Sequence, residues 1–386
     1  MKNFSEFSLI IVGSGFTGMT VAWNFAEITK KKVLIVEKRS HIGGNSYSYK
    51  DLKTGIEVHK YGSHLFHTSN DKVINFINNF AKFNDYKHTV KTIHKDRVFS
   101  FPINLLTLSE FFGSFYSPAD GKHLIDSKRL IIDDPKNFEE KALSVIGEEL
   151  YFAFFKGYTE KQWQIDPRLL PADVFGRIPL RFSFNDRYFK DKFEGTPTEG
   201  YGNIFDLMAS HPNIRVITDQ DFLTLNYKQN SNQVLFFTGP IDKFFGLKFG
   251  PLNWRTLDFE WETLPVDDFQ GTSVMNYADI SVPWTRIHEF KHLTPERTFM
   301  SGTIIAKEYS RFATTHDEPY YPVNTEIDRN ILQKYRNLAY SEKNVFFGGR
   351  LGRYQYLDMH MAIASGIKFS ETLSTNFKNC VCLNSQ

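Results

Sequence analysis

The chain opens on an unbroken apolar run, Leu9-Ile10-Ile11-Val12, that stops at Gly13. Such a run predicts a short strand buried on both faces. Residues 17–28 then place Val21, Phe25 and Ile28 on one helical face, and Val33-Leu34-Ile35-Val36 repeats the buried-strand pattern up to Glu37. Strand, helix and second strand in this order predict a βαβ opening. Residues 69–80 read as a helix after a polar turn. From Phe101 to about Trp163 the spacing is helical, with Asn104 placed to cap one helix carrying Leu105, Leu108 and Phe112. Asn137 is placed to cap another, carrying Leu143, Ile146, Leu150 and Phe154. Residues 166–202 are rich in Pro, Gly, Arg and Phe and predict loops. Strand character returns at 214–218 and 233–237. Residues 252–299 alternate apolar and polar positions as an antiparallel sheet does. Val345-Phe346-Phe347 predicts a late strand, and a final helix is expected from near Asp358. No repeat or low-complexity segment interrupts this order.

Composition narrows the picture. A chain of 386 residues exceeds one simple core and predicts two or three units. A net charge of +2 gives no global basic field, which argues against nucleic acid and anionic membranes as partners. An anionic ligand would have to be held by local arginines. Cys380 and Cys382 stand one residue apart with no second pair, so they make neither a zinc site nor a disulfide framework, as fits a reducing cytoplasm. Residues 1–8 are polar and mixed and lack the parts of a signal peptide. The most membrane-like stretch, 98–116, is interrupted by Pro102, Asn104, Glu110 and Gly113, so no membrane span is expected.

The first chemical motif is Gly13-Ser14-Gly15-Phe16-Thr17-Gly18. Alone, a G-x-G-x-x-G is weak; here it follows a strand, opens a helix, and is answered by an acid, Glu37, at the end of the next strand. Gly13 permits the turn, Gly15 lets backbone approach a pyrophosphate, and Gly18 lets helix and strand pack closely. Glu37 can accept both ribose hydroxyls and would repel a 2′-phosphate. NAD would satisfy this fingerprint as well as FAD. Gly43-Gly44-Asn45, a second close-approach loop, and Gly348-Gly349-Arg350-Leu351-Gly352, a late turn before the last helix, favour FAD. The N-terminus of that helix would face the flavin and favour its anionic reduced form.

With these pieces in place, the chain resembles the bacterial UDP-galactopyranose mutases over nearly its whole length. The resemblance is carried by the glycine fingerprint and by Tyr61-Gly62-Ser63-His64-Leu65-Phe66-His67-Thr68, with Ser63 where the family's loop has proline. It is carried further by Gly157-Tyr158-Thr159-Glu160-Lys161-Gln162-Trp163, Arg177-Ile178-Pro179, Pro319-Tyr320-Tyr321-Pro322 and the run from Gly348 through Tyr356, Leu357 and Asp358 to Met359.

The resemblance implies an α/β fold in three parts. These are a discontinuous Rossmann-like FAD-binding domain (1–80, 208–246, 340–386), an inserted helical-bundle substrate and lid domain (100–190), and an antiparallel β-sheet domain (81–99, 191–207, 247–339). It implies interconversion of UDP-galactopyranose and UDP-galactofuranose, with N5 of reduced FAD as nucleophile on the anomeric carbon and no net redox change. Cofactor contacts would come from Gly13 to Gly18, Glu37, Lys38, Gly44, Asn45, Gly349, Arg350, Tyr356, Asp358 and Met359. Arg177, on a lid, and Arg286, in sheet-like sequence, would clamp the diphosphate, since guanidinium suits the charge gained by a leaving phosphate. Tyr188, Tyr320 and Tyr356 would donate hydroxyls to it, Tyr320 being adjacent to the equally placed Tyr321. Tyr158 would stack on uracil beside Thr159 and Trp163. Phe154 and Phe155 fit that pocket or plain core equally, and Asn276 would reach the phosphates or sugar.

His64 and His67 would lie beside the flavin as catalytic groups. No third ligand near them in sequence argues for a metal. An NAD(P)H reductant, a homodimer and a cytoplasmic location complete the expectation. The rivals are a flavin oxidoreductase of the amine-oxidase type, which shares the fingerprint without needing the arginine clamp, a non-catalytic nucleotide-sugar binder, and a mutase preferring UDP-N-acetylgalactosamine.

Overall fold

The expected βαβ opening is present: Leu9–Val12 and Val33–Val36 pair in parallel, joined by the helix Phe16–Thr29. These strands belong to a five-stranded sheet in the order Val345–Phe347, Val234–Phe237, Leu9–Val12, Val33–Val36, Ile214–Ile217. Every neighbouring pair is parallel. A parallel sheet is covered on both faces, which is why its strands read as continuous apolar runs. One face packs Met19, Phe25, Phe205 and Ile363 from three helices, and the other packs Phe4, Phe7, Leu235 and Phe237. The chain winds to both sides of Leu9–Val12, so a crevice opens at the carboxyl ends of the strands. This computed structural model describes residues 4–177, 180–227, 230, 233–297, 299 and 301–383, without the side chains of 176, 177 and 376–383.

A second sheet of seven strands runs in the order Tyr321–Pro322, Trp254–Leu264, Thr303–Phe312, Arg286–Glu289, Val274–Tyr277, Val90–His94, Arg97–Phe101. The sequence predicts an antiparallel sheet, and one pairing departs from it: Val274–Tyr277 lies parallel to Val90–His94. Those two strands are separated by the helical unit and more, so no hairpin forces them antiparallel. The helical unit hangs from the Arg97–Phe101 edge. Asn104 caps Leu105–Phe112 in a full capping box with Thr107, and Asn137 caps Phe138–Leu150 by accepting from the Glu140 N–H. Gly157–Trp163 follows a π-helical turn, Tyr151–Lys156.

Four elements differ from expectation. Within 166–202, read as loops, Phe193–Gly195 pairs with Phe66–Thr68, and a helix, Gly200–Ala209, begins. That helix buries Tyr201, Ile204, Phe205 and Met208 in the parallel-sheet core, so residues 200–207 pack there and not with the antiparallel unit. Their i, i+3, i+4, i+7 spacing is a helical stripe hidden by the glycines around it. The ten-residue strand Thr303–Phe312 was not foreseen, because Lys307 and Glu308 interrupt its apolar pattern. The helix Glu326–Ser341 was missed too, although Thr325 and Asp328 form a capping box that signals its start.

Candidate functional site

The glycine loop lines a deep pocket at the carboxyl ends of the parallel strands. Gly13 leaves its strand at φ +97, and a Cβ there would stand 2.2 Å from Thr238 Oγ1; one on Gly18 would stand 2.2 Å from the Gly13 carbonyl oxygen. The Cβ position of Gly15 meets nothing within 4 Å, so that backbone faces open space. Gly15 also gives the helix Phe16–Thr29 no side-chain cap, which leaves first-turn N–H groups for an anion. Ser14 donates its N–H and hydroxyl to Glu37 Oε2 at 2.8 and 2.6 Å, tying the loop to the end of the second strand. Arg39 Nη1 is buried with no hydrogen-bond partner in the protein.

The pocket continues past Lys38, Gly44 and Asn45 to His64, Gly349, Arg350 and Met359, where the last helix begins. A carboxylate, an uncapped helix start and an orphaned guanidinium N–H fit the adenosine diphosphate part of FAD. The far end, between His64 and Met359, fits its ring. Tyr356 and Asp358 stand behind this wall: the Tyr356 hydroxyl donates to Asp358 Oδ1 at 2.8 Å, and the Arg350 guanidinium lies 4.9 Å from the Tyr356 ring centre.

Past Arg350, Tyr321 interacts electrostatically both with Arg350 and with Arg286, which lies on the second sheet. Arg286 Nε lies 3.2 Å from Glu308 Oε1, and its Nη2 donates to the Tyr158 hydroxyl at 2.5 Å. Burial would discharge Arg286, but Glu308 and the surrounding tyrosines hold its pKa above the usual guanidinium value. Burial pushes the Tyr158 hydroxyl up to about 12, and Tyr321 and Tyr356 are raised for the same reason, so all three stay protonated donors. Asn276 sits opposite Arg286 in register, and its Oδ1 is buried without a partner, an acceptor aimed at something the protein does not supply.

Several predicted residues take other places. Tyr320 is buried at 5% exposure, and its carbonyl accepts from Arg350 Nη1; Tyr321 is the one beside Arg286, Arg350 and the Tyr356 ring at 5.9 Å. Tyr321 begins the short strand Tyr321–Pro322, and the buried Tyr320 immediately precedes it. Phe154 and Phe155 pack on Phe99, Phe101, Phe111 and Phe175 inside the helical unit. Thr159 is buried, and Trp163 packs against the same core from its edge. The Tyr158 hydroxyl accepts from Arg286 Nη2, which ties the residue expected under a base to the arginine. Tyr188 is half-exposed, and it interacts electrostatically with both Tyr158 and Arg286. Arg177 ends the turn Ala172–Arg177; its side chain, with Ile178 and Pro179, lies outside the described residues.

His64 donates from Nδ1 to the Gly62 carbonyl at 2.7 Å, which leaves Nε2 as an acceptor, and burial lowers its pKa to about 4. His67 stacks on Phe189 and bonds Asp191 at 2.7 Å. The fold also brings Asp358 and His360 to His67, with one ligand atom of each within 4.8 Å of the others. Sequence spacing could not show this, since His67 lies far along the chain from the neighbouring pair Asp358 and His360. The sequence reading also missed Glu308, His288 and His88. His88 is buried beside Arg286, and burial lowers its pKa to about 3. A buried carboxylate or imidazole inside a strand carries no local pattern; the pairing Arg286↔Glu308 across the sheet creates the signal.

Comparison with known proteins agrees with this geometry. Residues 153–356 match the family model for UDP-galactopyranose mutase, and residues 11–80 match that for an NAD(P)-binding Rossmann-like domain. The chain is 43% identical over 373 residues to a probable UDP-galactopyranose mutase of Klebsiella pneumoniae, covering 96% of each. It is 42% identical over 375 residues to a dTDP-fucopyranose mutase of Escherichia coli, covering 96% of this chain and 99% of that one. A crystal structure of reduced UDP-galactopyranose mutase shares the fold with a TM-score of 0.71 at 16% identity, over 95% of this chain and 93% of that chain.

Proposed function

This chain belongs to the UDP-galactopyranose mutase family, and from that premise we propose that it interconverts UDP-galactopyranose and UDP-galactofuranose on reduced FAD. The chain is an isomerase, and its family implies a flavin cofactor. The observation that carries the finer reading is the run of contacts from Tyr158 and Arg286 through Tyr321 to Arg350, which itself lines the pocket that fits a dinucleotide.

When bound and reduced, the flavin supplies a nucleophile at N5 toward the anomeric carbon, and no net electron transfer results. The protein's part is position and charge. Arg286 meets the negative charge that develops on the diphosphate as its bond to the sugar weakens, and Glu308 keeps the guanidinium from turning away. Protonated Tyr158, Tyr321 and Tyr356 donate to the phosphate oxygens or to the groups that orient them. Neutral His64 offers an acceptor toward the pocket and no added charge. Asn276 accepts from a sugar or phosphate-side hydroxyl. Arg177 would close the clamp from the helical unit.

The near-equal identity to a dTDP-fucopyranose mutase supports a second reading, in which a dTDP-linked 6-deoxysugar is the substrate. Four curated relatives at 32–43% identity are named mutases, which favours isomerisation over the oxidoreductase alternative. Anaerobic, dithionite-reduced protein should convert UDP-galactofuranose to the pyranose, followed by chromatography, whereas oxidised protein should not. Conversion of dTDP-fucofuranose alone would transfer the assignment to the second reading; conversion of neither would remove both.

A further inference from the structure

The loop His59 to His64 is pinned from two sides. On one side the His64 N–H donates to His59 Nδ1 at 3.0 Å, and the His64 ring closes on the Gly62 carbonyl. On the other, Ser63 Oγ lies 2.8 Å from His288 Nδ1, and His288 Nε2 lies 3.0 Å from Glu308 Oε2. Glu308 Oε1 faces Arg286 Nε at 3.2 Å, and Arg286 reaches Tyr158. The side chains of His288 and Glu308 are 2% and 4% exposed, so these links run through a dry interior. Gly62, at φ +88, lies against the Phe259 ring with Glu308 just beyond: a Cβ there would stand 3.1 Å from Phe259 Cζ and 3.7 Å from Glu308 Oε2.

The proton positions follow from chemistry. Burial alone would raise the Glu308 carboxyl, but Arg286 and His288 beside it bring it down to about 2, so it is ionised and only accepts. His288 Nε2 therefore carries the ring proton, Nδ1 is the acceptor, and the Ser63 hydroxyl donates. All the donors point one way, from the loop to the carboxylate.

We infer that Ser63 and His288 are positioning residues for the proposed reaction, locking Glu308, and through it Arg286, to the loop that carries His64 against the dinucleotide pocket. Without the Ser63 hydroxyl, His288 holds a buried acceptor with no donor. Its ring can then flip or change tautomer and set a lone pair against Glu308. Glu308 is then held on its Oε1 side by Thr285 Oγ1 at 3.2 Å but no longer on its Oε2 side, and its grip on Arg286 loosens. A proline at this position has no hydroxyl, so the first link depends on this chain's serine.

The inference rests on Arg286 facing a diphosphate, and its test separates the two ideas. UDP binding to the holoprotein is measured by calorimetry, alongside turnover of UDP-galactofuranose by the reduced form. Ser63→Ala and His288→Gln should each weaken UDP binding about tenfold and raise KM more than they lower kcat, with flavin content unchanged. The double variant should be no weaker than the worse single one, because both act in one chain. Ser63→Thr keeps the hydroxyl and should stay within about twofold of wild type; this pair decides the matter even if His288→Gln does not fold. Wild-type UDP affinity in Ser63→Ala, or losses that multiply, would overturn the relay while leaving the mutase assignment in place. UDP binding that Ser63→Ala weakens, in a protein that turns over no UDP-sugar, would do the reverse. A wild-type protein that does not bind UDP would overturn both.

Discussion

At one end of the cleft, Gly13, Gly15 and Gly18 lie within six residues of each other and work through backbone, with Glu37 soon after. At the other, Tyr158, Arg286, Glu308, Tyr321 and Tyr356 come from five separate segments and work through side chains. The first end is defined by the absence of Cβ atoms and the second by buried charge. The two should therefore fail differently. Adding atoms should ruin the glycine end, and removing charge should ruin the arginine end while leaving the cofactor in place.

Removing the guanidinium should have the largest effect on catalysis. Arg286→Ala is expected to lower turnover by about 10²–10³-fold, the usual cost of losing a donor to developing negative charge. It should keep the yellow colour, because Arg286 is not among the residues lining the dinucleotide pocket. Loss of flavin in that variant would mean that the two ends are not separate. The opposite experiment is Gly18→Ala, whose new methyl would meet the Gly13 carbonyl oxygen at 2.2 Å. Purified protein should lack most of its visible flavin absorbance, and full occupancy would break the comparison from the other side.

Glu308→Gln tests the buried pair. Breaking such a pair costs about 3 kcal/mol, so the urea midpoint should fall clearly while residual flavin binding persists. Acid should act on the same interior. His64 and His88 stay neutral in the fold down to about 4 and 3, because burial penalises the charged imidazole. In the unfolded chain they take up protons near pH 6.5. Stability should thus fall as pH drops below about 6.5, by up to roughly 1.4 kcal/mol per pH unit for each histidine. Glu308, lowered to about 2, adds a further loss below its ordinary value. Denaturation at pH 7 and pH 5 measures the slope; equal stabilities would contradict neutral buried histidines. The smallest effect separates two neighbours. Tyr321→Phe should weaken UDP binding by about fivefold, the worth of one hydrogen bond, and Tyr320→Phe should not change it.

The same contrast explains what could be read from the sequence. The βαβ opening was legible because a strand buried on both faces is an unbroken apolar run, and because the glycines act where they stand in the chain. The caps at Asn104 and Asn137 were legible for the same local reason. Arg286 and Tyr158 were named only through resemblance, since nothing near either one marks it. Glu308 was hidden because a charge within a strand reads as solvent-facing until the facing arginine is known. Tyr320 and Tyr321 are indistinguishable in sequence, because nothing local marks which of two adjacent tyrosines is buried and which stands beside Arg286. The metal-like grouping was invisible because His67 lies far along the chain from Asp358 and His360.

The central claim is that the glycine end holds a nucleophile, and that the arginine end holds the group it displaces. Anaerobic mixing of reduced holoprotein with excess UDP-galactofuranose, with the flavin spectrum and the sugar followed together, tests it most directly. The account predicts many turnovers to the pyranose while the flavin spectrum stays reduced. One flavin oxidised for each sugar changed, or no conversion beside a flavin that oxidises, would contradict it.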